Sequence, residues 1–129
     1  SSTMNVLVDT SIWIDYFRTG EQSSDLDFLI DENLVVINDI ILAELIPFLK
    51  VKKQVNVINL LQELPQIPLD NSRDDIIAFQ FECLKNGANG IGIPDLIIAH
   101  NAKKNNCKKF SLDKHFRLLN QVINVELYQ

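Results

Sequence analysis

Four acidic residues stand at positions of this chain where a carboxylate could take part in chemistry. Asp9 follows a short apolar run, Asp113 follows a predicted strand at 110–112, Asp95 follows a glycine-rich loop, and Glu44 lies within an otherwise apolar segment. Carboxylates that meet at one place cannot all stay ionised unaided, because two like charges about 4 Å apart cost on the order of 4 kcal/mol at an effective dielectric constant of about 20. Protons or divalent cations must relieve that repulsion.

A cluster of carboxylate oxygens with open water positions suits Mg²⁺ or Mn²⁺. An ion of this kind lowers the pKa of water and stabilises charge on a phosphate group under attack. The sequence therefore predicts a metal-dependent hydrolytic site in which Asp9 and Asp95 anchor one ion. Glu44 and Asp113 would complete its shell or hold a second ion.

Each of these acids also has an ordinary structural explanation. Asp9 could be a helix N-cap, a position that Asp fills well. Asp95 could be a first-turn acid after Pro94, a common arrangement at helix starts. Asp113 could be a turn residue, and Glu44 could lie on a narrow solvent-facing stripe of its helix. It is the conjunction of the four that favours a functional site.

The elements that must position these acids are short apolar strands alternating with helices. Residues 6–8 indicate a buried parallel strand, and Thr10 or Ser11 is expected to cap the helix over residues 12–18. The alternation predicts an α/β fold with a mainly parallel sheet covered on both faces. The other predicted elements are strands at 34–37 and 110–112, edge strands at 67–69 and 122–125, helices at 24–30, 40–50, 52–64, 72–86 and 95–102, and a helical turn at 116–119.

The predicted sheet places two of the acids together. Parallel strands share a direction, so Asp9 and Asp113 are expected at the same edge. Open α/β sheets bind their ligands at the carboxyl ends of the strands, which is that edge. Asn38 or Asp39 is expected to cap the helix that carries Glu44. Ser72 is expected to cap the helix predicted at 72–86.

Length and composition indicate a single domain with a sizeable core. The chain has 129 residues, 47% of them hydrophobic, and no apolar run of membrane-spanning length. Ser1-Ser2-Thr3 before Met4 looks like a cloning remnant, so the domain is expected over residues 4–129. Cys83 and Cys107 lie far apart, which suggests reduced thiols, and with no secretory signal the expected location is the cytoplasm.

The charge distribution bears on whether the partner is a nucleic acid. The formal net charge of −5 argues against one, although without the four acids the remainder is close to neutral. Half of the 12 Lys and Arg residues also fall in one short region. They are Lys103, Lys104, Lys108, Lys109, Lys114 and Arg117. A local basic patch is therefore predicted, with Arg18, Lys114 and Arg117 as candidates for contacting a phosphate backbone.

Two other functions fit parts of the sequence. One is phosphate transfer through an aspartyl-phosphate on Asp9, but haloacid-dehalogenase-type phosphatases need a second Asp two residues on, where Ser11 stands. Receiver domains need a paired acid early in the chain and an Asp after a third strand, and neither is evident. The other is a binding module that contacts a partner through apolar helices. Such a module would lack both hydrolytic activity and Mn²⁺-dependent stabilisation.

Four segments of the chain resemble the motifs of PIN-domain ribonucleases, specifically the VapC-type toxins of bacterial toxin–antitoxin pairs. The segments are Val8-Asp9-Thr10-Ser11-Ile12-Trp13-Ile14-Asp15-Tyr16-Phe17, Ala43-Glu44-Leu45, Gly90-Ile91-Gly92-Ile93-Pro94-Asp95-Leu96-Ile97-Ile98-Ala99 and Ser111-Leu112-Asp113-Lys114-His115-Phe116. Each motif is short, but all four occur in order at suitable spacing. The resemblance covers nearly the whole chain from Met4 onward.

This resemblance implies a PIN-like three-layer α/β/α fold and Mg²⁺-dependent endoribonuclease activity, with Mn²⁺ as a substitute. It also implies a type II toxin that forms a homodimer and is inhibited by a cognate antitoxin, which inserts peptide near the acidic site. The matching positions are Asp9, Glu44, Asp95 and Asp113 for the acidic quartet, and Ser11, with Thr10 and Ser111, for supporting hydroxyl groups.

Two residues depart from the family's pattern. His115 stands where the last motif often carries another acid, and Ser111 stands where threonine is usual. Both departures bear on how strongly the site at Asp113 holds a second metal.

Overall fold

The central sheet consists of three parallel strands within residues 4–129, the part of the chain that the computed structural model describes. Strand β1 (Val6–Val8) lies between β2 (Val35–Val36) and β3 (Lys108–Phe110), and both neighbours run parallel to it. Parallel pairing needs a crossover between strands, which helices supply here. The predicted α/β fold with a parallel sheet is confirmed. The predicted cloning remnant, residues 1–3, lies outside the described residues.

Seven helices in the described residues connect and cover these strands. They are α1 (Thr10–Arg18), α2 (Asp25–Asp31), α3 (Asp39–Val51), α4 (Val55–Glu63), α5 (Arg73–Lys85), α6 (Ile93–Lys104) and α7 (His115–Ile123). Two predicted N-caps are confirmed: the Asn38 side chain accepts a hydrogen bond from the amide of Ile41 at 2.9 Å, and Ser72 accepts one from Asp75 at 3.1 Å. These bonds satisfy amides that a helix start leaves unpaired.

Differences from the predicted boundaries concentrate at the C-terminal end of the chain. Strand β3 begins and ends two residues earlier than predicted, so Asp113 does not follow it directly. The predicted edge strand at 122–125 is wrong, because Ile123 ends α7 and Asn124 follows in the left-handed conformation with φ of 57°. Leu119 and Ile123 are both buried, at the spacing of one helix face rather than of a strand.

Two shorter segments also differ. Helix α4 starts three residues later than predicted, after a turn in which Lys53 adopts a φ of 56°. The predicted edge strand at 67–69 is reduced to an isolated parallel bridge between Ile37 and Gln66. Pro68 has no amide hydrogen with which to extend that ladder.

The core lies on both sides of β1, whose three residues are at most 1% exposed. Burial of both faces explains why this strand is apolar throughout instead of alternating. Helix α1 adds Ile12 and Trp13 to the core, and the Trp13 ring stacks on Phe17 with centroids 5.8 Å apart. Within the described residues, no helix combines the length and the apolar character needed to cross a membrane.

A buried pair of asparagines ties two helices together. Asn38 donates from its amide to the side-chain oxygen of Asn101 at 2.8 Å, and Asn101 donates to the carbonyl of Pro68 at 2.7 Å. Both asparagines are 0% exposed. Because Asn38 caps the helix that carries Glu44 and Asn101 lies on the helix that carries Asp95, this pair fixes how the two helices meet.

We expect Asn101→Ala to lower the free energy of unfolding by about 1 to 3 kcal/mol, because it leaves the side-chain amide of Asn38 buried without a partner and removes the hydrogen bond to the carbonyl of Pro68. Urea denaturation followed by circular dichroism measures this loss. Asn59→Ala is the matched control: Asn59 is exposed on α4, and its replacement should change the free energy by no more than about 0.5 kcal/mol. Equal losses in the two variants would contradict the role given to the buried pair.

Candidate active site

Asp9 lies at the carboxyl edge of the sheet, between β1 and α1. Its backbone is extended, with φ of −72° and ψ of 158°, and its side chain caps α1. The predicted cap at Thr10 or Ser11 is therefore one or two residues late. The amide of Asp9 also donates to the carbonyl of Phe110 at 2.8 Å, which continues the pairing of β1 with β3 past the last strand residue.

Lys109 is the nearest cation to this carboxylate. Its ammonium Nζ lies 3.0 Å from Asp9 Oδ1, and its side chain is 0% exposed. Lys109 pairs with Leu7 across the sheet, so its side chain lies on the buried face of β3. Sequence reasoning missed this contact, because it assigned Lys109 to a surface patch. The available signal was the pair Lys108-Lys109 in a strand, where side chains alternate between faces and one lysine has to face inward.

Two serines hold the other oxygen of Asp9. The hydroxyl of Ser11 donates to Oδ2 at 2.9 Å and that of Ser111 at 3.0 Å. In turn Ser11 Oγ accepts from the amide of Leu112, and Ser111 Oγ accepts from the amide of Asp113, each at 3.0 Å. The loop after β3 is thus fastened to the start of α1 through one carboxylate.

Burial alone would raise the pKa of Asp9. The charge of Lys109 and the hydrogen bonds from Lys109, Ser11 and Ser111 outweigh it, so the pKa of Asp9 is lowered. Asp9 is therefore an ionised carboxylate with a fixed orientation.

Glu44 lies on the exposed side of α3, as its ordinary explanation predicts, yet its carboxylate faces the same edge. Its Oε1 accepts a hydrogen bond from the hydroxyl of Thr10 at 3.1 Å. Partial burial, together with the negative charges of Asp9 and Asp95, raises the pKa of Glu44. Glu44 is therefore both solvent-facing and close to the other acids.

Asp95, Asp113 and His115 form the group whose spacing matches that of metal ligands. One ligand atom from each lies within 4.8 Å of the others. His115 Nδ1 is 3.9 Å from an oxygen of Asp95 and 3.5 Å from an oxygen of Asp113. That nitrogen is inaccessible to solvent and has no hydrogen-bond partner among residues 4–129. Burial, followed by the charges of Asp113 and Asp9, raises the pKa of Asp95.

These donors fit a divalent ion. Two carboxylates supply hard oxygen ligands, and the unpartnered imidazole nitrogen adds a donor that Mn²⁺ accepts more readily than Mg²⁺. That Asp9 and Asp95 anchor the first ion stays a prediction. Asp9 Oδ2 accepts hydrogen bonds from two serines, whereas Oδ1 accepts one from Lys109 and keeps a lone pair for an ion. His115, noted in the sequence only as a departure from a motif, lies beside Asp95 and Asp113.

The predicted basic patch of six residues is divided by the fold. Lys103 donates to the carbonyl of Ile123 at 2.7 Å, and Lys104 is 3.3 Å from Asp70. Lys109 is buried, so half of the group is already engaged. The three residues predicted to contact a phosphate backbone are all exposed: Arg18, Lys114 and Arg117.

Asp95→Asn should stabilise the metal-free protein at about pH 7, raising Tm by a few degrees, the shift that roughly 1 kcal/mol produces in a domain of this size. The raised pKa of Asp95 means that the folded state takes up its proton more readily than the unfolded state. The repulsion is therefore relieved as the pH falls through the folded pKa. The stabilisation by Asn should shrink toward about pH 4.

Asp39→Asn serves as the control for that measurement, made by thermal unfolding in the presence of a chelator. Asp39 lies in the first turn of α3 as Asp95 lies in the first turn of α6, but Asp39 is exposed whereas Asp95 is partly buried. Its replacement removes a favourable helix-dipole contact without relieving repulsion, so Tm should fall slightly. If both variants lower Tm by the same amount, Asp95 is not under electrostatic strain.

Solved structures with a similar fold belong to protein complexes. VapBC2 from Rickettsia felis, bound to a DNA fragment from their promoter, matches with a TM-score of 0.75 and 23% identity over 97% of this chain and 98% of that chain. DNA-bound VapBC from Salmonella typhimurium matches with a TM-score of 0.75 and 16% identity over 98% of both chains. FitAcB from Neisseria gonorrhoeae matches with a TM-score of 0.73 and 22% identity over 96% of both chains.

At such identities these likenesses bear on the fold alone. Comparison with curated protein sequences yields no match. The family model for the PIN domain matches residues 6–121, which span both the sheet and the acidic edge described above. The chain therefore belongs to the PIN domain family.

Proposed function

We propose that this protein is a divalent-metal-dependent endoribonuclease. The observation that carries the proposal is the convergence of Asp95, Asp113 and His115, with ligand atoms within 4.8 Å of one another, at the edge where Asp9 lies. Membership of the PIN domain family supports it, because the matched residues 6–121 include all four acids. Hydrolysis of a phosphodiester bond is the chemistry that such a donor set suits.

Each residue of the site has a distinct part in this proposal. Asp95 and Asp113, with His115, would hold the ion, and Glu44 and Asp9 would approach it from α3 and β1. The bound ion would supply an activated water and stabilise charge on the phosphate. Mg²⁺ is the proposed ion and Mn²⁺ its substitute. Ser11, Thr10 and Ser111 keep the carboxylates oriented, since each donates a hydrogen bond to one of them.

Exposed cations flank the acidic edge and would contact the RNA backbone. Arg18 shares a surface hollow with Ser11 and Leu112, and Arg117 shares another with Ser111 and Asp113. Lys114 is exposed directly after Asp113. A strand lying across the edge could therefore meet positive charge on both sides of the carboxylates, which compensates for the chain's negative net charge.

We further propose that the protein is the toxin of a type II VapBC-type pair that acts in the cytoplasm. Solved structures of similar fold are VapBC complexes. An apolar groove between α1, α3 and α4 is lined by Phe17, Phe48 and Val57, with Arg18 and Lys52 at its rim. An antitoxin segment with apolar side chains and some acidic ones would match this groove and reach the neighbouring acidic site.

The wild-type protein should cleave a 5′-labelled structured RNA in Mg²⁺, and Asp95→Asn should lower the rate by at least about 100-fold, because it removes a charge that holds the ion. Asp9→Asn should have a similar effect. Gel analysis of the initial rate, with a chelator as the blank, measures both. Asp39→Asn lies outside the acidic edge and should cleave at the wild-type rate.

Cleavage that persists in Asp95→Asn, or in the chelator blank, would exclude this site as the source of activity. Expression of the wild type should arrest bacterial growth, and co-expression of the cognate antitoxin should restore it. Arrest by Asp95→Asn at the same level would separate toxicity from nuclease activity and overturn the toxin proposal.

A second copy of the chain is the proposed occupant of an apolar face on α5. Ile77, Phe81 and Leu84 are 57%, 60% and 56% exposed, and they recur at the spacing of one helix face. Ile93, 48% exposed, lies against the same hollow. The polar residues that usually cover an exposed helix face are absent from these positions, so association would bury the face.

Phe81→Glu should convert a wild-type dimer into a monomer, because it places a charge at the centre of this face. Light scattering after size-exclusion chromatography gives the mass. Phe28→Glu is the matched control, since Phe28 is 58% exposed on α2, and it should leave the dimer intact. A wild-type monomer, or a dimer that survives Phe81→Glu, would rule out this interface.

A further inference from the structure

Lys109 is an unusual residue for the middle of a protein core. Its side chain is fully buried, and its ammonium lies 3.0 Å from Asp9 and 4.7 Å from the centroid of the Phe116 ring. Within the described residues, the ammonium of Lys109 donates a hydrogen bond to one side chain, that of Asp9. Moving an ammonium and a carboxylate out of water costs several kcal/mol for each ion, and their attraction repays this only in good geometry.

Stability alone does not account for a lysine at this position. Its strand partner is Leu7, and the ring of Phe116 packs beside it, so an apolar side chain would fit the same space. Replacing a buried ion pair with apolar residues is often neutral or stabilising. What an apolar residue would lack is a positive charge fixed inside the acidic edge. Glu44 and Asp95 also lie within electrostatic range of that charge.

We propose that Lys109 is a positioning residue that serves as the resident counterion of Asp9 and weakens the binding of divalent ions at the acidic edge. In the metal-free protein its ammonium lies 3.0 Å from Oδ1 of Asp9 and holds this carboxylate in place. A divalent ion that enters the edge meets a fixed positive charge. The inference rests on the proposed function, because it concerns the ion that the proposed nuclease would bind.

The hydrogen bonds of Asp9 indicate the order in which the residues of the acidic edge would bind an ion. Oδ1 is held by Lys109, and Oδ2 is held by Ser11 and Ser111. Asp9 would offer an ion the one lone pair of Oδ1 that Lys109 leaves free, directly beside the ammonium, whereas His115 Nδ1 has no hydrogen-bond partner within residues 4–129. The ion would therefore be held first by Asp95, Asp113 and His115, with Asp9 as a later or more distant ligand.

Lys109→Met removes the charge and keeps most of the side-chain length. In calorimetric titration of the chelator-stripped protein with Mn²⁺, we expect its Kd to be lower than that of the wild type by about tenfold or more, because a repulsive unit charge close to the ion is gone. Lys108→Met is the matched control: Lys108 precedes it on β3 and is partly exposed on the other face. This control should bind Mn²⁺ with the wild-type Kd.

A purely structural role for Lys109 predicts a different result. Lys109→Met would then leave the Kd for Mn²⁺ unchanged or raise it, and either result for the Kd overturns the inference. A lower Tm of the metal-free protein is expected in both cases, because Asp9 loses its buried partner. If Lys109→Met does not fold, the same comparison is made between Asp9→Asn and the double variant Asp9→Asn with Lys109→Met. The double variant lacks both buried charges, and it should bind Mn²⁺ more tightly than Asp9→Asn does.

Asp95→Asn separates this inference from the proposed function. If it weakens Mn²⁺ binding while Lys109→Met leaves the Kd unchanged, the metal site stands and the role of Lys109 fails. If Mn²⁺ binds neither the wild type nor any variant, or binds Asp95→Asn as tightly as the wild type, the proposed metal site itself fails and the inference fails with it.

Discussion

Mutual repulsion among carboxylates at the carboxyl edge of a three-stranded parallel sheet is the constraint on which this structure depends. Four acids reach that edge from β1, α3, α6 and the loop after β3. Burial and the neighbouring negative charges raise the pKa of Glu44 and of Asp95, whereas Lys109 and two serines lower that of Asp9. The edge therefore holds two kinds of carboxylate. The charge of Asp9 is balanced by Lys109, whereas Glu44 and Asp95 repel the neighbouring acids without a counterion of their own.

The scaffold holds this arrangement through polar contacts as well as through its core. Asn38 and Asn101 join α3 to α6 through a buried hydrogen bond, and the hydroxyls of Ser11 and Ser111 join α1 to the loop after β3. Apolar packing tolerates small shifts of one element against another, but a buried hydrogen bond lost by such a shift leaves unpaired groups. These contacts therefore set the positions of the acids more narrowly than packing around β1 could.

Much of the chain could be predicted from its sequence because the signals are local. Strand β1 is apolar over its whole length, Asn38 and Ser72 cap the helices that follow them, and the family that short segments resemble is the one whose model matches residues 6–121. The errors fall where local signals are ambiguous. Residues 122–125 form a short segment with three apolar residues, a pattern that fits a strand or a helix end equally well, and the burial of Ile123 in α7 decides between them.

The sequence by itself determined the α/β class, the identity of the four acids and the placement of Asp9 and Asp95 at element ends, since each depends on residues close together in the chain. Tertiary structure decided which charges meet. Lys108 and Lys109 are equivalent in sequence, and the register of β3 against β1 puts Lys109 opposite Leu7 and inside the protein. A shift of one residue would exchange the two lysines. No local pattern encodes that register, so the buried cation beside Asp9 emerges only when the strands pair.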